Sequence, residues 1–129
     1  MNKVSRKSWS SFRYAFKGWQ TFWNCELNAR IHLGIAFAVI IAGIVFRISP
    51  TEWIVQLLCI ALVIGSEMIN TAFELMVDKW CKEIDATAAK VKDITAGAVL
   101  LNSFIAAIAG IIIYSPKLYN LVVQVFESA

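Results

Sequence analysis

The stretch WIVQLLCIALVIGSEMINTAFELMVDKW, from Trp53 to Trp80, is apolar through Ile64 and then carries Glu67, Asn70, Glu74 and Asp78 without a break in helical pattern. A helix crossing the hydrocarbon core of a bilayer needs about 20 mostly apolar residues. The segment is long enough to cross over about 53–77, with polar residues inside the span. At about 100° per residue, the four polar side chains fall within a stripe roughly 80° wide on one helix face. If the helix enters from outside near Trp53, Glu67 lies roughly 21 Å along it, at about 1.5 Å per residue, within the inner leaflet. A carboxylate at that depth costs roughly 2.5–3.5 kcal/mol on insertion scales unless it finds partners. Asn70 alone could be interhelical glue. Three acids on one face repel each other in a low dielectric, so the stripe asks for a metal ion or a proton.

Two further apolar stretches flank this one. About 31–48 carries no charge before Arg47, and about 94–114 has only Asn102 and small residues as interruptions before Ser115-Pro116, where the helix is expected to end. The 129 residues make a single domain, and a hydrophobic share of 59% against 16% charged residues excludes an ordinary water-soluble surface. The fold expected is all-α and integral to the membrane, with three transmembrane helices. No cleavable leader is expected, because polar and aromatic residues precede the first apolar run.

Lys3, Arg6, Lys7, Arg13, Lys17 and Arg30 precede the first span, and Lys79, Lys82, Lys90 and Lys92 lie between the second and third. Arg47 and Lys117 stand alone on the other side. Lysine and arginine are held on the cytoplasmic side, so the N-terminus is expected inside and the C-terminus outside. Trp53, Trp80 and Tyr114 fall near the span ends, where amphipathic rings sit. Cys25, Cys59 and Cys81 lack metal-type pairing and read as incidental small residues. No nucleic-acid partner is expected.

In residues 1–30, Trp9, Phe12, Phe16, Trp19 and Trp23 recur every three or four positions. That puts five rings on one helical face, as expected of an amphipathic helix in the cytoplasmic interface. It serves either as an anchor or as one wall of a site open to lipid. On the same side, Lys90, Lys92 and Asp93 stand just before the third span, near the height of Glu74, Asp78 and Glu26. Paired carboxylates with water suit Mg²⁺, which commonly bridges to phosphate oxygens, and a neighbouring lysine suits phosphate. Neither the P-loop pattern nor the protein-kinase signatures occur.

Glu67-Met-Ile-Asn70-Thr-Ala-Phe-Glu74 with Asp78, followed by Ala89-Lys-Val-Lys92-Asp93-Ile-Thr-Ala-Gly97, closely resembles the signature of the prokaryotic diacylglycerol kinase family. The likeness runs from about Ser11 to Leu118 and includes Phe16-Lys17-Gly18 and Trp23-Asn-Cys-Glu26. It implies a homotrimer of three-span subunits, with active sites shared between neighbours, that moves the γ-phosphate of ATP to a membrane-lipid hydroxyl at the cytoplasmic interface. Carried over by position, Glu67 would be the catalytic base, with Asn70 hydrogen-bonded in its support. Glu26 and Glu74 would hold Mg²⁺ and contact the nucleotide. Lys92 would touch phosphate and Asp93 the nucleotide, while Tyr14 and Glu83 match nucleotide-contacting positions more loosely. Trp23, with Glu67, would meet the lipid. Thr95-Ala96 stand where the Gram-negative branch often has Gly-Ser. The segments Cys25–His32, Ser49–Trp53 and Tyr114–Leu118 look more like the undecaprenol kinase branch, which implies undecaprenol ahead of diacylglycerol as acceptor. Two other classes compete with this reading: an acid-lined cation or proton pathway, and a non-catalytic small membrane subunit.

Overall fold

The computed structural model describes residues 3–25, 27–81 and 85–127, with side chains from Ser11 onward. Four helices follow one another: α1 (Lys3–Cys25), α2 (Leu27–Val45), α3 (Pro50–Trp80) and α4 (Ala86–Glu127). The last three are long and apolar enough to cross a membrane. At about 1.5 Å per residue, α3 runs about 46 Å and α4 about 63 Å, so both outreach a hydrocarbon core of about 30 Å.

The turn between α2 and α3 is closed by local chemistry. Ile48 N–H donates to the Gly43 carbonyl at 3.1 Å and Arg47 N–H to that of Ile44 at 3.2 Å. This pair of bonds is a Schellman cap, which requires a left-handed residue at its centre. Arg47 fills that place at φ 49°. Ser49 then caps α3 in a reciprocal box: its N–H donates to Glu52 Oε2 at 2.6 Å, and its hydroxyl accepts from Glu52 N–H at 3.3 Å. Pro50 follows in the first turn, where its missing N–H costs nothing.

Two of the expected ends differ. α4 begins before residue 94 because Asp85 caps it, accepting on Oδ1 from Thr87 N–H at 2.6 Å and from Ala88 N–H at 3.4 Å. It also does not stop at Ser115-Pro116, since Pro116 lies inside a helix that continues to Glu127. A proline removes only its own amide bond to the preceding turn, and membrane helices carry that loss when the rest of the register persists. Lys117 reaches Glu52 at 2.8 Å and ties α4 to the start of α3.

α3 is the central helix, packed against both α4 and α2. On α2 the buried residues are Ala29, Ala36 and Gly43, spaced by seven. Such a spacing holds small residues on one seam, which allows close approach to a neighbouring helix. At Gly43 the approach is tightest, since an added Cβ would lie 2.8 Å from Trp53 Cη2 and 3.1 Å from Ile48 Cδ1. Trp53 therefore packs against the α2 seam instead of serving only as an interface ring. Tyr114 likewise turns inward, its hydroxyl 2.6 Å from Gln56 Oε1 and 3.0 Å from the Val39 carbonyl.

Among the described residues the buried apolar set is small: Phe22, Ala29, Ala36, Ile48, Val63 and Ile113. Large apolar side chains instead cover the exterior, with Leu100 at 73% and Phe126 at 79% exposure. An outer surface of this kind fits lipid and not water. On α1, Phe12, Phe16, Trp19 and Trp23 are exposed, and the side chain of Trp9 lies outside the described residues. Among the described side chains of α1 the buried ring is Phe22, at 3% exposure and edge-on to Trp19 at 6.3 Å. It stands beside the expected stripe, on the side that meets the other helices.

Candidate active site

The acidic face of α3 emerges in steps. Glu67 is buried at 3% exposure and Asn70 at 8%, Glu74 is half-buried, and Asp78 is exposed. One helix therefore carries carboxylates from the packed interior to its polar end, as the spacing of 67, 70, 74 and 78 requires.

The partners are not all those expected. Asn70 Nδ2 donates to Glu74 Oε1 at 3.1 Å, not to Glu67. One full turn separates 70 from 74, which favours that pairing. Glu67 turns to α2 instead, where His32 Nε2 lies 3.2 Å from its Oε1. The Thr71 hydroxyl binds the Glu67 backbone carbonyl at 2.9 Å and leaves the carboxylate alone. Asn70 Oδ1 is buried with no hydrogen-bond partner among the described residues, and so is the Ser103 hydroxyl.

Past the end of the ladder, the Lys92 ammonium pairs with Asp78 Oδ1 and so joins α4 to α3. Both side chains are partly exposed, and such a pair contributes little by itself. Asp93 is exposed beside it. Tyr14 is 63% exposed, with the Arg13 guanidinium 5.9 Å from its ring centre. Trp23 is 50% exposed, and its carbonyl accepts from Arg30 Nε at 3.2 Å. Glu26 and Glu83, expected at the metal and nucleotide, lie outside the described residues.

Among the described residues no group of three or more His, Cys, Asp or Glu converges as a metal cage. Mg²⁺ does not need one, because it keeps several waters and takes one or two carboxylates together with substrate phosphates. Glu74, with one oxygen on Asn70 and the other free of any hydrogen bond among the described residues, and the unpartnered Asn70 Oδ1 are hard oxygen donors of the right chemistry.

His32 is the residue that the sequence reading missed. It is the only histidine in the chain, and it follows Ala29 by three positions, which turns it toward the small-residue seam and hence toward α3. It also lines a cavity of about 290 Å³ between α2, α3 and α4. That cavity runs from His32 to Gln56 and Tyr114, with Ser103, Ala106 and Gly110 on its α4 side. Its walls carry no carboxylate, lysine or arginine.

Comparison with known proteins gives concordant matches. The profile of the family described as prokaryotic diacylglycerol kinase matches residues 13–114. An undecaprenol kinase of Bacillus subtilis is 36% identical over 118 residues, covering 91% of this chain and 94% of the relative. A diacylglycerol kinase of Synechocystis sp. is 37% identical over 114 residues, covering 88% of this chain and 65% of the relative.

Proposed function

The chain belongs to the prokaryotic diacylglycerol kinase family, a family of lipid kinases, and from that premise we propose that it transfers the γ-phosphate of ATP to the hydroxyl of a membrane lipid, undecaprenol ahead of diacylglycerol. The reaction takes place at the cytoplasmic face of the bacterial inner membrane, with the N-terminus inside. The observation that carries this reading is the graded acidic face of α3: a carboxylate buried among helices at Glu67, and polar groups rising through Asn70 and Glu74 to the Asp78–Lys92 pair.

In the reaction, the lipid hydroxyl oxygen attacks the γ-phosphorus, the bond to the bridging oxygen of ADP breaks, and the hydroxyl proton passes to the Glu67 carboxylate. Phosphoryl transfer asks a protein mainly for alignment and charge neutralisation, with a base beside the nucleophile. Glu67 stands below the polar end of α3, within reach of a hydroxyl anchored in lipid, while ATP docks from the water. Glu74, together with Glu26, would hold Mg²⁺, which supplies positive charge against the phosphates. Lys92 contacts phosphate and Asp93 the nucleotide, with Tyr14 and Glu83 at its periphery, and Trp23 meets the lipid. Because Lys92 already pairs with Asp78, phosphate must compete with that carboxylate. The uncharged cavity that ends at His32 supports a hydrocarbon-bearing acceptor. Near-complete coverage of the Bacillus subtilis relative favours undecaprenol.

Three helices per subunit are few to shield this acidic face, and a homotrimer with sites shared between neighbours would complete it. In that case, mixing inactive Glu67→Gln subunits with inactive Glu26→Gln subunits restores part of the activity. The experiment on function is purified protein with Mg-ATP and equal undecaprenol and diacylglycerol in one membrane, with the products resolved by mass. Undecaprenyl phosphate is expected in excess. Absence of any phosphorylated lipid would overturn the proposal, and a diacylglycerol product alone would overturn the acceptor.

A further inference from the structure

The carboxylate of Glu67 is held from another helix. We propose that His32 is a positioning residue for the base, an inference that rests on Glu67 having that role. Its imidazole Nε2 lies 3.2 Å from Oε1 and so restrains one carboxylate oxygen, which would leave the other for the acceptor hydroxyl.

The geometry narrows the choice to this residue. A buried carboxylate needs hydrogen-bond donors, and each neighbour of Glu67 on α3 that could supply one is engaged elsewhere. Asn70 donates to Glu74, Thr71 donates to the Glu67 backbone, and the Ser66 hydroxyl donates to the Val63 carbonyl at 2.9 Å. Among the described residues, His32 is the side chain whose polar atom meets the carboxylate. It approaches from α2, between the buried residues Ala29 and Ala36 of the small-residue seam. The rotation of the carboxylate is therefore set by the α2–α3 contact and not by α3 alone. His32 also lines the cavity, so the imidazole stands between that cavity and the Glu67 carboxylate, which is not part of the cavity wall. A misplacement of about 1 Å at a reacting group can cost about 10² in rate, which gives such a contact kinetic weight.

The test uses the intact protein in one lipid membrane. Turnover, the KM for Mg-ATP and thermal stability are measured for His32→Leu, His32→Asn, His32→Gln, Glu67→Gln and the double variant His32→Leu with Glu67→Gln. Leucine cannot donate and asparagine is too short to reach, so both should lower turnover by about 10-fold to 10²-fold with the KM for Mg-ATP held within about twofold. Glutamine keeps a donor at similar reach and should recover turnover to within about fivefold of the parent, a rescue that a purely structural role would not give. In the Glu67→Gln background, His32→Leu should cost nothing further, because the residue acts through the base. Should His32→Leu fail to fold, the Asn and Gln pair carries the same comparison. Parental turnover in His32→Leu or His32→Asn, no rescue by Gln, or multiplicative losses in the double variant would each overturn the proposal while Glu67 stays the base. Parental turnover in Glu67→Gln would instead remove the base reading itself.

Discussion

The two ends of α3 both carry polar side chains among apolar helices, and they use them in opposite ways. Near Ser49 the cluster is closed. Glu52 accepts from the Ser49 backbone on one oxygen and from Lys117 on the other, while Gln56 donates to the Val39 carbonyl at 3.1 Å and faces the Tyr114 hydroxyl. Near Trp80 the cluster is open. Glu67 has a single imidazole nitrogen 3.2 Å away, Asn70 keeps an oxygen unpartnered among the described residues, and Glu74 spends one oxygen on Asn70. Buried polar groups without partners cost free energy that a satisfied network avoids. The closed end welds three helices; the open end leaves acceptors without partners among the described residues, as the proposed metal and substrates would require.

That contrast can be broken most forcefully at Glu74. Glu74→Gln removes a charged oxygen that, on the proposed function, would hold the metal. Several kcal/mol of charge stabilisation, roughly 10² in turnover, should be lost, and half-maximal rate should need more Mg²⁺, as a metal titration of the purified variant would read. Normal turnover with normal Mg²⁺ dependence would mean that the open end does not hold metal. A smaller effect of the other kind is expected at the closed end. Tyr114→Phe deprives Gln56 and the Val39 carbonyl of a hydroxyl, so stability should fall by about 1–3 kcal/mol in reversible unfolding while turnover per folded protein is kept. The least change is expected at the turn that leads into the closed cluster. Arg47 sits at positive φ, so Arg47→Gly should raise stability by about 1 kcal/mol with no kinetic signature.

Much of this was legible in the sequence, for physical reasons that also mark where the reading failed. Long uncharged runs leave a chain one choice of solvent, so the central parts of the three apolar helices could be read from composition and length. The periodicity that puts Glu67, Asn70, Glu74 and Asp78 on one face belongs to a single helix and survives folding. Partnerships between helices do not belong to one helix. His32 and Glu67 are distant in sequence, and their meeting depends on how α2 and α3 rotate about their contact. The seven-residue spacing of Ala29, Ala36 and Gly43 is the signal that could have exposed it. For α4, Asp85 extends the start, and Pro116 fails to end a helix whose register continues on both sides. For α1, periodicity identified a face of rings but not the ring that packs, because Phe22 lies beside the stripe and turns toward the bundle.

The most direct test of the central claim is the Glu67→Gln variant, with turnover, nucleotide affinity and thermal stability measured in one lipid environment. Glutamine preserves shape but cannot accept the proton, so turnover should fall by roughly 10² or more while ATP affinity stays near the parent's. Stability should hold or rise, because a neutral amide is cheaper to bury than a carboxylate. Turnover equal to the parent's would contradict the account and leave Glu67 as an interhelical contact.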